Sequence, residues 1–217
     1  MTDPHLYVIL DRAAARGRDL LTILDATLAG GCRVVQLREK EWPSGRLLPV
    51  AERLRDRCRQ VGATFIVNDR VDLALAVAAD GVHLGQDDLP PHVARPLLRH
   101  GMILGLSTHS VEQARAARAA GADYVAVGSM FPTSSKPEFH LVGPELVGKL
   151  RGEINVPLIG IGGITHDNVA QVIRAGADGV AVISAVCAAA DPEAATRRFL
   201  DLIDGARNLT IAQRRSL

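Results

Sequence analysis

Eight short runs of branched apolar residues punctuate the chain, at 6–10, 34–37, 65–67, 82–84, 103–106, 124–127, 158–161 and 180–183. Between and after them lie amphipathic stretches near 19–29, 44–61, 71–78, 90–99, 111–120, 144–150, 165–175 and 191–203. Short strands that are apolar throughout, each leading into a helical pattern, point to parallel strands buried on both faces. Strand twist makes the crossovers between neighbours right-handed. Eight such units in 217 residues fit a minimal closed (β/α)8 TIM barrel, and an open doubly wound sheet is the alternative. The expectation is a single α/β domain over 1–217, with its core at about 6–203 and a frayed tail at 208–217.

An internal echo supports repeated units. Ala120-Gly-Ala-Asp-Tyr-Val-Ala-Val127 recurs as Ala175-Gly-Ala-Asp-Gly-Val-Ala-Val182, with a looser copy at Ala78-Ala-Asp-Gly-Val-His-Leu84. Each reads as a helix end, a turn containing Asp and a short strand. Aromatic residues are 3% of the chain, so the core is expected to be Ala, Val, Leu and Ile.

Composition narrows the function. A formal net charge of +1 and the scarcity of aromatics argue against a nucleic-acid surface. No run approaches the roughly 18 apolar residues of a membrane span. The first apolar run comes too early and is too short for a signal peptide, so a cytoplasmic location is expected. Cys32, Cys58 and Cys187 have neither disulfide nor metal spacing and read as reduced, buried thiols. The number of subunits stays open.

Active sites of such barrels lie beyond the C-terminal ends of the strands, so the residues after each run carry the chemistry. Gln36, Arg38 and Lys40 alternate and share a face, as a polyanion site requires; a solvated charged loop is the alternative. Asp69 and Asp88 come after the third and fourth strands, where they could hold Mg²⁺ or merely cap the next helices. Ser107-Thr-His109 comes after the fifth, and a lone His there is more often structural. A long irregular stretch, 128–143, carries Thr133, Ser135 and Lys136, which suit a diphosphate unless the loop is simply solvated. Gly162-Gly163 after the seventh strand and Ile183-Ser184 after the eighth mark the recurrent phosphate site of this architecture. That second anion region has no fixed cation and suits a monophosphate. Two phosphorylated substrates, one losing diphosphate, is the natural reading.

These motifs, in this order, resemble the thiamine phosphate synthase family. The pieces are Gln-Leu-Arg-Glu-Lys (36–40), Asn-Asp-Arg (68–70), Asp-Gly-Val-His-Leu-Gly-Gln-x-Asp (80–88), Gly-Leu-Ser-Thr-His (105–109), Phe-Pro-Thr-x-Ser-Lys (131–136), Gly-Ile-Gly-Gly-Ile (160–164) and Gly-Val-Ala-Val-Ile-Ser (179–184). Ser129 stands where the family commonly has Pro, and Ser135 where it commonly has Thr. The resemblance implies a Mg²⁺-assisted transferase. It would join a hydroxymethylpyrimidine diphosphate to a hydroxyethylthiazole phosphate, through dissociative loss of diphosphate.

By the same resemblance Gln36, Arg38, Lys40, Asn68 and Lys136 would hold the pyrimidine diphosphate, with Arg38, Lys40 and Lys136 assisting departure. Asp69 and Asp88 would hold Mg²⁺, and Ser107 would lie near the pyrimidine. Thr133, Ser135, Gly163, Ile183 and Ser184 would line the thiazole phosphate side. Two other readings use the same barrel. One is a thiazole tautomerase with His109 as proton shuttle; the other is a non-catalytic sensor of a phosphorylated ligand.

Overall fold

A computed structural model describes residues 4–133 and 140–215. The strands β1 (Leu6–Asp11), β2 (Val34–Arg38), β3 (Thr64–Asn68), β4 (Gly81–Leu84), β5 (Ile103–Thr108), β6 (Tyr124–Gly128), β7 (Leu158–Ile161) and β8 (Gly179–Val182) form one closed parallel barrel in chain order. Closure pairs Leu6, Tyr7 and Val8 of β1 with Val180, Ala181 and Val182 of β8. The open sheet is thereby excluded.

The helices are α1 (Arg12–Ala15), α2 (Leu20–Ala29), α3 (Ser44–Gln60), α4 (Val71–Ala76), α5 (Pro91–Leu97), α6 (Val111–Ala119), α7 (Pro144–Leu150), α8 (Val169–Arg174), α9 (Ser184–Cys187) and α10 (Pro192–Arg215). The short α1 and α9 are additional to the expected stretches, and two others depart from them by four residues or more. The α8 helix starts four residues later than the pattern suggests, because Thr165 N–H donates to Asn168 Oδ1 (2.8 Å) and closes a turn there. Instead of fraying at 208, α10 continues to Arg215. Among the described residues no helix is long and apolar enough to cross a membrane.

Side chains alternate along each strand, so the barrel has two apolar compartments. Val8, Leu10, Val35, Leu37, Phe65, Val67, Leu104 and Val125 face the helices, within one continuous core. Tyr7, Ile9, Val34, Ile66, Tyr124, Ile159 and Ala181 fill the barrel interior. A core of Ala, Val, Leu and Ile was the expectation, and to it the structure adds both tyrosines of the chain, fully buried in the barrel interior. Gly105 makes room for one of them: a Cβ at that position would lie 2.0 Å from the Tyr124 ring.

The repeated Asp has a structural job at the opposite end from the site. Asp80, Asp123 and Asp178 each accept from the backbone N–H that opens or nearly opens the preceding strand: Phe65 (2.7 Å), Leu104 (2.7 Å) and Leu158 (2.8 Å). Each Asp also donates its own N–H to the carbonyl of the same residue. The sequence echo is thus a strand-to-strand latch, used three times at the N-terminal end of the barrel.

Candidate active site

Strand period 2 sets which residues reach the C-terminal mouth. Inward positions carry apolar residues at the bottom and Gln36, Arg38, Asn68, His83 and Ser107 at the top. The registers Asp11↔Arg38 and Asn68↔His83 put them side by side.

Gln36 is buried, and its Nε2 donates to Tyr7 Oη (2.6 Å). Tyr7 Oη meets Tyr124 Oη (3.0 Å), Tyr124 Oη meets His83 Nδ1 (2.9 Å), and His83 Nε2 meets Ser107 Oγ (2.8 Å). Burial pushes both phenols well above their ordinary range, so both keep their protons. Tyr7 accepts from Gln36, so among the described residues its proton is shared with Tyr124. The chain of contacts then runs from Tyr124 through both ring nitrogens of His83 to Ser107 at the mouth. Ser107 and Gln36 are expected site residues; the three groups that link them were not foreseen. Their side chains meet only through the barrel register, which no local pattern displays.

Arg38 is paired with Asp11 and Lys40 with Asp69. The loop that carries Lys40 is held by Glu39, whose carboxylate accepts from Glu41 N–H (2.7 Å) and from Arg12 Nε (2.5 Å). Trp42 lies beneath the Arg46 guanidinium, 3.9 Å from ring centroid to Cζ. The charged run is thus tied down by ion pairs at the mouth, with Arg38 part-buried and the Lys40 and Glu41 side chains exposed.

Asp69 and Asp88 come together from the β3–α4 and β4–α5 loops. Neither caps a helix: α4 and α5 have no side-chain cap, and Asp88 instead accepts from Gly85 N–H (2.7 Å). Asp69 holds a left-handed backbone, φ 61°, unusual for a non-glycine residue. Burial and a hydrogen bond with Asp88 push the Asp69 carboxyl above its ordinary range. Burial acts on Asp88 in the same sense, but hydrogen bonds from Asp69 and Gly85 N–H, with the Lys40 charge, hold it below. Two carboxylates sharing one proton fit a divalent cation, which would replace the proton and relieve the repulsion. Among the described residues no cluster of three or more His, Cys, Asp or Glu exists, so the remaining ligands would be water and substrate oxygens. That donor set suits Mg²⁺ and not a structural zinc.

A cavity of about 1080 Å³ opens across the mouth from the β4–α5 loop to the loops after β7 and β8, lined by Ser107, Thr133, Gly163, Ile183 and Ser184 among others. Thr133, Gly163, Ile183 and Ser184 are residues that the resemblance puts on the thiazole phosphate side, and Ser107, put near the pyrimidine, lines the same cavity. Gly163 has φ +64°, and a Cβ would lie 2.4 Å from the Pro132 carbonyl oxygen, so only glycine fits. Asn168 Nδ2 fixes this turn by donating to Gly163 O (3.0 Å). His109 also lines the cavity; its Nδ1 is 2.5 Å from Gly128 O, and its backbone N–H donates to Gln113 Oε1 (2.7 Å). Ser129 N–H donates to His140 O (2.8 Å), a bond that the family's usual Pro could not make. Ser135 and Lys136 lie outside the described residues.

Arg16 also lines this cavity, a cation in the region where none was expected. It lies after β1, and only barrel closure brings that loop beside the loop after β8.

The sequence matches the family model described as thiamine monophosphate synthase over residues 6–186. It is 49% identical over 203 residues to the thiamine-phosphate synthase of Moorella thermoacetica, covering 93% of this chain and 97% of that one. With the thiamine-phosphate synthase of a Roseiflexus species it shares 50% over 202 residues, 93% of this chain and 86% of that one. The thiamine phosphate pyrophosphorylase structure from Pyrococcus furiosus superposes with a TM-score of 0.86 at 37% identity, covering 94% of this chain and 97% of that one. The chain belongs to the thiamine monophosphate synthase family of transferases.

Proposed function

We propose that this chain, as a single barrel domain, joins a hydroxymethylpyrimidine diphosphate to a hydroxyethylthiazole phosphate, giving thiamine phosphate and diphosphate. The observation that carries the reading is the division of one mouth into two anion sites. On the β2–β4 side stand Arg38, Lys40 and the Asp69–Asp88 pair; on the β7–β8 side stands the glycine-lined wall of the cavity, with Gly163, Ile183 and Ser184.

Each residue then has a task. Arg38 and Lys40 bind the diphosphate and neutralise the charge that grows on it as the methylene carbon–oxygen bond breaks. The electron pair leaves with diphosphate, and the aminopyrimidine ring stabilises the cationic methylene carbon. The thiazole nitrogen donates its lone pair to that carbon and forms the new bond. Gln36, Ser107 and Asn68 orient the pyrimidine ring. Gly163, Ile183, Ser184 and Thr133 hold the thiazole phosphate so that its nitrogen lies in line. Asp69 and Asp88 would hold Mg²⁺, which supplies further neutralisation of the leaving diphosphate. Ser135 and Lys136 would complete the phosphate and diphosphate contacts. No protein nucleophile or general base enters the sequence of steps. The three thiols, free and buried, suit work in the cytoplasm.

The test is formation of thiamine phosphate, identified by mass, from both substrates with Mg²⁺. Product should vanish when either substrate is omitted or when a chelator removes the metal. Product formed without a divalent cation would overturn the metal assignment, and no product at all would overturn the reading.

A further inference from the structure

We propose that Arg16 determines specificity for the phosphorylated second substrate, by supplying the cation of the thiazole phosphate site. The inference rests on the reading above, that a phosphate monoester occupies the glycine-lined cavity.

A phosphate monoester carries close to two negative charges at neutral pH. The groups expected to receive it, at Gly163, Ile183 and Ser184, are backbone N–H groups and a hydroxyl, all neutral. Among the described residues, the cations on the β2 side of the mouth have carboxylate partners, Arg38 with Asp11 and Lys40 with Asp69.

Three arginines lie on the connection between β1 and α2, and two of them have partners. Arg12 pairs with Glu39 and Glu41. Arg18 donates Nη1 to Ala189 O (2.8 Å) and Nη2 to Cys187 O, bracing the end of α9. Arg16 lines the cavity with Ser184, Ala185 and Ala188, and has no side-chain ion pair among the described residues. Its backbone is left-handed, φ 53° and ψ 45°, at the end of α1, a position that usually takes glycine. The bend at Arg16 turns the chain back from the mouth, and the Arg18 brace ties the next residues to the β8 side. The cavity's carboxylate, Asp87, belongs to the β4–α5 loop, away from the β8 side, and makes no ion pair with Arg16. An exposed guanidinium is thus set at the lip of the cavity, beside phosphate-receiving groups that are themselves uncharged.

The experiment compares wild type with Arg16→Ala and Arg16→Lys. Steady-state kinetics would use the thiazole phosphate, its dephosphorylated alcohol and the pyrimidine diphosphate. Arg16→Ala should raise KM for the thiazole phosphate about tenfold, the scale of one charge-assisted hydrogen bond. It should change KM for the alcohol and for the pyrimidine diphosphate far less, so discrimination between phosphate and alcohol shrinks. Arg16→Lys should restore part of it. Salt should raise KM for the thiazole phosphate in wild type and do so less in Arg16→Ala, a response that a merely structural residue would not alter. Isothermal titration with inorganic phosphate reads the same site without turnover. If wild type makes no thiamine phosphate but Arg16→Ala weakens phosphate binding, the functional reading fails and the Arg16 site stands. Unchanged KM for the thiazole phosphate and unchanged phosphate affinity in Arg16→Ala would overturn the proposal.

Discussion

His83 Nε2 lies 2.8 Å from Ser107 Oγ, while the other nitrogen of the same ring lies 2.9 Å from Tyr124 Oη. One imidazole therefore couples the floor of the barrel to a hydroxyl at its mouth. Tyr124→Phe removes the hydroxyl that His83 and Tyr7 share and strands two buried polar groups. The expected cost is about 1–3 kcal/mol of stability, measured by urea unfolding. An unchanged unfolding midpoint would mean the chain of bonds carries no weight.

Asp69→Asn and Asp88→Asn each remove charge while keeping size. Because neither residue caps a helix, the fold should stand. The rate should fall roughly 10²-fold or more, the scale of losing a key electrostatic stabiliser. Metal titration of initial rates checks this; near-normal metal-dependent turnover in both variants would show that the pair does not hold the cation.

Much of this was legible in the sequence, for physical reasons. Strands buried on both faces are apolar throughout, so β1 to β8 stand out as runs, and the residues just after each run reach one mouth. That is how Gln36, Arg38, Lys40, Asp69 and Asp88 could be read as mouth residues, at or just beyond the C-terminal ends of β2, β3 and β4. Residues that meet only through register or closure were not legible. Tyr7 and Tyr124 are 117 positions apart, and Arg16 reaches the β8 side only because β1 and β8 pair. The role of Asp as strand latch was half visible, since the echo showed the residue but not the neighbouring N–H that it receives.

His109→Asn should leave thiamine phosphate formation within roughly tenfold of wild type, about 1.4 kcal/mol of barrel-mouth perturbation. The proposed steps move no proton before the carbon–nitrogen bond forms. The Nδ1 contact to Gly128 O can be kept by an amide donor, so the loop should also hold. A loss of 10²–10⁴-fold, the range of general acid–base catalysis, would instead give His109 a proton-transfer role.

The buried thiols set a pH limit on stability. Burial pushes Cys58 up to about 12 and Cys32 and Cys187 up to about 11, against an unfolded value of roughly 8.5. A raised native value favours the neutral thiol in the fold. The stabilising contribution is full below the unfolded value and is lost progressively as pH climbs from about 9 toward 11 and beyond. Unfolding measured across that window should show the decline, and a Cys58→Ala variant should show less of it. A thiol reagent at pH 8 should find the native cysteines unreactive.

The most direct test of the central claim is the ratio of two products in one reaction. With both substrates and Mg²⁺, thiamine phosphate and diphosphate should appear one for one, and diphosphate release should slow sharply when the thiazole phosphate is withheld. Diphosphate released at the same rate without the thiazole phosphate, or a protein that isomerises a thiazole tautomer yet makes no thiamine phosphate, would contradict the account.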